Sequence, residues 1–146
     1  MKRILAFVLA ALMLFAFVAC DDDDDKRVPL DKSVVEFIES KYAGAKIRHS
    51  EYSDNGLIEV EILHNSILKD VYFDRSNKWV YTSWDVRLSE VPSVVADALS
   101  AAYPDFRVDD VDYIEREQAV YYEFELEKAG AEIFVNISPD GEILNN

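Results

Sequence analysis

Glutamate at every second position is the most chemically loaded pattern in this sequence. Glu59 and Glu61 alternate with Ile58, Val60 and Ile62, and Glu123, Glu125 and Glu127 alternate with Tyr122, Phe124 and Leu126. Period-two alternation marks a strand with one packed and one wet face, so these carboxylates share the open side of a sheet. Like charges opposite one another on adjacent strands destabilise a sheet. Keeping several there serves either plain solvation or the attraction of a cationic partner. Aromatic residues join them. Tyr72 and Phe134 fall on the non-core side of their strands by alternation, Tyr121 lies beside the glutamates, and Trp79, Tyr81 and Trp84 crowd one short strand on both faces. Exposed tyrosine and tryptophan anchor protein interfaces; the plainer reading of Trp79 and Tyr81 is that they fill core. The candidate partner-binding set is therefore Glu59, Glu61, Tyr72, Trp79, Tyr81, Trp84, Tyr121, Glu123, Glu125 and Phe134.

Other chemistry is sparse. His49 and His64 lie on or beside strands, without the cysteine or carboxylate spacing of a metal site. Asp109, Asp110 and Asp112 cluster near a strand and could hold calcium with backbone carbonyls. They lack the glycine and terminal glutamate of an EF-hand loop, which favours a solvated acidic edge. There is no nucleophile elbow and no phosphate-cradling loop, and the whole chain has four glycines. The expectation is no enzyme, no catalytic residue, no cofactor and no metal. Fifteen basic against 29 acidic residues give a net charge of -14. That field repels nucleic acid and anionic headgroups and draws cationic partners.

The N-terminus announces export. Met1-Lys2-Arg3 is a short basic stretch, Ile4 to Ala19 is an unbroken apolar and small-residue run, and Cys20 is the only cysteine. The run is shorter than the ~20 residues of a membrane span and fits a signal-peptide core. Phe17-Val18-Ala19-Cys20 resembles a bacterial lipobox. That resemblance implies cleavage before Cys20, whose thiol and new amino group then carry acyl chains. Asp21 to Asp25 form a self-repelling tether, similar to the acidic stretch that sends some lipoproteins to the outer face of the outer membrane, although in other Gram-negative groups an aspartate after the cysteine signals inner-membrane retention. Residues 1–19 are thus expected to be signal peptide, and 20–30 the lipidated cysteine and tether. Localisation would be extracytoplasmic, anchored to the cell envelope on the periplasmic or the surface side.

The elements that must position the glutamates are written twice. Ser33-Val34-Val35 reads like Ser93-Val94-Val95. Tyr42-Ala43-Gly44-Ala45-Lys46-Ile47 matches Tyr103-Pro104-Asp105-Phe106-Arg107-Val108, and Leu57 to Ile62 lies over Tyr121 to Leu126. Three blocks in the same order point to a tandem repeat, with half-repeats 31–86 and 87–146. Each copy opens with a helix. In the first, Ser33 and Glu36 have capping-box spacing, Val34, Val35, Ile38 and Tyr42 form a stripe, and Gly44 is the stop. In the second, Val94, Val95, Ala98, Leu99 and Ala102 form the stripe and Pro104 ends it. Strands are predicted at 57–62, 67–73, 79–84, 121–127 and 131–137, with turns at Asp54-Asn55-Gly56 and Pro139-Asp140-Gly141. The expected fold is α+β: two helix-plus-antiparallel-strand repeats forming one sheet of about eight strands, both helices on one face.

With that pattern in hand, residues 28–146 resemble the PepSY-like, β-lactamase-inhibitor-like family of secreted bacterial proteins. The resemblance rests on Trp79, on Val91-Pro92-Ser93-Val94-Val95, on Tyr121-Tyr122-Glu123-Phe124-Glu125-Leu126, and on Ser138-Pro139-Asp140-Gly141-Glu142-Ile143-Leu144. It implies a binding module that presents a concave sheet surface to a protein or peptide, with inhibition of an extracytoplasmic enzyme as its action, and the chain's acidic charge adds that the partner's surface is basic. A structural or stress-related envelope component without a dedicated soluble ligand is the alternative.

Overall fold

The computed structural model describes residues 27–144; the expected signal peptide, Cys20 and the aspartate run lie outside them. Helix α1 (Lys32–Lys41) is followed by strands β1 (Lys46–Tyr52), β2 (Ile58–His64), β3 (Ile67–Phe73) and β4 (Trp79–Asp85). After a 3-10 turn, helix α2 (Ser93–Ala102) leads into β5 (Arg107–Glu115), β6 (Val120–Lys128), β7 (Ala131–Ile137) and the short β8 (Ile143–Leu144). The eight strands form one antiparallel sheet in the order β1-β2-β3-β4-β5-β6-β7-β8, every strand paired with its sequence neighbours. The fold class is α+β, as the residue pattern predicts.

Alternation decides which face is covered. Ile58, Val60 and Ile62 of β2, with Val71 and Phe73 of β3, pack under Val34, Ile38 and Tyr42. Val111, Phe124, Leu126, Val135 and Ile137 pack under Val91, Val95 and Leu99. Following the registers across the sheet places both groups on the same side. Val60 pairs with Val71, Val71 with Thr82, Thr82 with Glu115, and Val111 with Phe124. Both helices therefore cover one face and leave the glutamates on the other.

Three local readings are corrected. The cap of α1 is Asp31, not Ser33: its carboxylate accepts the Ser33 backbone N–H at 2.8 Å and the Ser33 hydroxyl at 2.6 Å. An aspartate two residues earlier satisfies the free helical N–H groups better, because it adds charge to the same bond. The buried α2 residues are Val95 and Leu99, with Val91 joining them from just before the helix, whereas Val94 is 48% exposed, since adjacent residues on a helix point about 100° apart. Strands β1 and β5 carry no visible alternation. Each has a register shift near its start, between Ile47 and His49 and between Val108 and Asp110. A bulge resets which face each side chain meets, which hides the period.

One glycine is fixed by contact. Gly141 has φ +86, and a β-carbon there would meet the Val94 carbonyl oxygen at 2.9 Å. The turn after β7 is thereby pressed against the start of α2. Gly141→Ala is expected to lower stability by about 2 kcal/mol, combining left-handed strain with a backbone clash, read as an earlier midpoint in urea. Gly130→Ala, with φ +80 and open space around it, should cost about half as much.

Candidate functional site: an acid-lined sheet face

The helix-free face is built row by row from the cross-strand registers. One row runs Glu51, Glu59, Tyr72, Tyr81. The next runs His49, Glu61, Asp70, Ser83, Ile114, Tyr121. A third runs Asp85, Asp112, Glu123, Asn136, and a fourth Asp110, Glu125, Phe134. Carboxylates stand directly opposite carboxylates at Glu51/Glu59, Glu61/Asp70, Asp85/Asp112, Asp112/Glu123 and Asp110/Glu125. Each such pairing works against the sheet.

The electrostatic strain shows in the acids' proton affinity. Burial, then Glu59, Glu61 and Asp85, push Asp70 up to about 6. Burial, then Asp110, Asp85, Glu123 and Asp70, push Asp112 up to about 6. Burial also raises Glu59, partly offset by a hydrogen bond from Tyr72. Cations answer this field near the sheet's margins. Arg107 pairs with Asp109 at 2.6 Å and with Glu127. The Arg116 guanidinium sits 5.0 Å from the Tyr81 ring and donates to the Tyr121 hydroxyl at 3.1 Å. Tyr81 also stacks on Tyr72, centroids 4.3 Å apart. Beside this pair lies a recess of about 430 Å³ lined by Glu51, Tyr52, Asp54, Asn55, Glu59, Tyr72 and Tyr81.

The structure gathers eight of the ten candidates on this face. Glu59, Glu61, Glu123 and Glu125 share it with Tyr72, Tyr81, Phe134 and Tyr121. Phe134 is 55% exposed, whereas Tyr121 is largely covered. Trp79 and Trp84 lie on the helix side. Trp79 packs against Phe37 and donates its indole N–H to Thr82 at 3.0 Å, and Trp84 meets Tyr113 at 4.7 Å. Asp70, Asp85 and Asp112 belong to the face although the residue pattern did not mark them. Asp70 shares the β3 parity that placed Tyr72, whereas the β5 bulge hides the parity of Asp112. His49 lies 3.7 Å from Glu51, and His64 stands edge-on to Tyr42. Among the described residues no group of three His, Cys, Asp or Glu is arranged to hold a metal ion.

The helices thus lie on one side of the sheet, and the facing acids and the tyrosines on the other. The model of the β-lactamase-inhibitor-like, PepSY-like family matches residues 57–145, and the chain belongs to that family. Solved structures share the fold. A BLIP-like protein from Bacteroides fragilis superposes with a TM-score of 0.71 at 22% identity, covering 85% of this chain and 89% of its own. A DUF2874 family protein from Bacteroides ovatus gives 0.69 at 20% identity, covering 81% and 86%. A protein from Bacteroides eggerthii described as periplasmic gives 0.62 at 21% identity, covering 81% and 88%. No functionally curated protein matches the chain.

Proposed function

We propose that this protein is a non-enzymatic, extracytoplasmic binding module, anchored through lipidated Cys20, whose acidic sheet face holds a basic surface of another protein or peptide and thereby inhibits an enzyme outside the cytoplasm. The repeated direct opposition of carboxylates across paired strands carries this reading. Solubility needs only scattered charge, whereas facing acids cost stability in every pair that a bound cation would relieve. The tyrosine recess supplies the second half of such recognition. Tyr81 already has the Arg116 guanidinium against it, and the stacked Tyr72 with Glu59 and Glu51 offers a partner's lysine or arginine an aromatic face rimmed by carboxylate. The family description and the inhibitor-like and periplasmic relatives support the same assignment.

Captured from envelope extract, the partner should elute with rising salt, because the attraction is screened. Glu59→Gln, Glu61→Gln, Glu123→Gln and Glu125→Gln together should weaken binding at least tenfold, mostly through the association rate. Unchanged affinity in the quadruple variant would remove the acidic face from the interface. Radiolabelled palmitate should enter the wild-type chain in cells and not a Cys20→Ser variant.

A further inference from the structure

The helix-bearing face is not apolar throughout. Between the two core clusters runs a polar and aromatic strip contributed by β3, β4, β5 and the end of α1. Trp79, Thr82 and Trp84 come from β4, Tyr113 and Glu115 from β5, Lys69 from β3, and Lys41 and Tyr42 from the helix end. Most of it is internally settled. Tyr42 Oη lies 2.8 Å from Thr82 Oγ1 and 2.9 Å from Glu115 Oε2. A phenol has one proton, so it goes to the carboxylate while the threonine hydroxyl supplies its own. Lys41 completes Glu115 with an ion pair at 2.8 Å.

Lys69 is left over. It is 8% exposed, yet among the described residues no oxygen lies within hydrogen-bonding or ion-pairing reach of its ammonium. Its nearest partners are rings: Trp84, 3.1 Å from centroid to Nζ, and Tyr42 at 5.7 Å. Burial of the side chain lowers its proton affinity, although its Nζ keeps some contact with solvent and feels the charge of Glu115, and an acceptor beside it would offset that cost. The fold does not demand a lysine there. Lys69 stands across from Ile62 on β2, and the corresponding place across from Leu126 on β7 is held by Ile133, packed against the second core. Two lysines against one glutamate also make this strip locally positive in a chain of net charge -14.

We propose that the strip around Lys69 is a binding site for a small aromatic carboxylate, whose oxygens take the free ammonium donors while its ring lies among Trp84, Tyr113 and the half-exposed Tyr122. A carboxylate provides charge-assisted acceptors in a poorly solvated place. The flat walls select a flat body: Trp84 meets Tyr113 at 4.7 Å, and Tyr113 meets Tyr122 edge-on at 5.1 Å. The site lies on the opposite side of the sheet from the acidic face and stands independently of the role proposed for that face.

The probe is benzoate, titrated into the purified wild-type protein and followed by tryptophan fluorescence, with isothermal titration calorimetry of the same protein as a second readout. Saturable quenching is expected, with the neutral isostere benzamide binding at least tenfold more weakly. Lys69→Ile, borrowing the residue of the corresponding register position, should reduce benzoate affinity at least tenfold. Three results would each overturn the site: no saturable response, equal binding of benzoate and benzamide, or unchanged benzoate affinity in a folded Lys69→Ile protein. The benzoate–benzamide comparison needs no substitution at Lys69, so it decides the matter even if that variant fails to fold.

Discussion

Phe124→Ala should lower the free energy of unfolding by about 3–5 kcal/mol, the ordinary range for removing a fully buried aromatic ring. Phe124 is 0% exposed and belongs to the cluster formed by Val95, Leu99, Val111, Leu126 and Val135. Its strand is paired on both sides, with Val111 on β5 and Val135 on β7. The surrounding backbone is therefore held by ladders on either flank and cannot collapse into the vacated space, which puts the loss toward the upper end. A domain of this size has a total stability of about 5–15 kcal/mol, so the substitution removes a large share of it. Urea unfolding followed by circular dichroism should show a much earlier midpoint with the slope unchanged. Val94→Ala is the matched control. Its side chain is 48% exposed, and a loss under about 0.5 kcal/mol is expected there. Comparable losses at both positions would mean that the second core is not the one described.

The second large effect is on pH dependence. Asp70 and Asp112 titrate near about 6 in the folded state, against about 4 when the chain is unfolded. Between those values the folded protein holds more protons than the unfolded one, so stability falls as pH rises. The contribution is full below the unfolded value and is lost by the time pH passes the folded one. Glu115 acts in the opposite sense. Although burial opposes it, hydrogen bonds from Lys41 and Tyr42 bring it below its ordinary value. The Ser33 bonds do the same for Asp31. What those two contribute is present above the unfolded value and disappears in acid. Stability should peak at about pH 4, fall through about pH 6 and level off above it. Both aspartates are only about half-buried, so solvent screening moderates the slope and added salt flattens it further. Asp70→Asn with Asp112→Asn should raise the melting temperature at pH 8 and remove most of the decline. A melting temperature that stayed level or climbed from pH 5 to pH 8 would contradict the acid pairing across the sheet.

What could be read from the residues, and what could not, follows from how locally each feature is encoded. Strands β2 and β6 alternate cleanly, Val34 and Ile38 stand one helical turn apart, and the glutamates' shared face follows from those periods alone. Strands β1 and β5 stayed hidden because bulges near their starts break the period. The β3 parity that turns Tyr72 outward turns Lys69 inward, but what surrounds the lysine was invisible, because it comes from Trp84 and Tyr42, elsewhere in the chain. The same distance concealed the Tyr42–Thr82–Glu115 hydrogen bonds, which link residues 40 and 73 positions apart. Trp79 and Trp84 were candidates for recognition by residue type. The β4 register, with its shift beside Trp79, turns both to the helix side and only Tyr81 to the open one.

Every strand finds its mate immediately before or after itself in the chain. No segment has to thread between two already joined, and no closing contact must wait for the far terminus. A polypeptide emerging from a narrow channel, amino end first, could add one strand at a time, by hairpins except where α2 joins β4 to β5. Such nearby pairing speeds folding relative to other all-antiparallel designs, because little loop entropy is lost before each ladder forms. Unpaired ribbon would be exposed only briefly, and the growing margin would always belong to the newest strand.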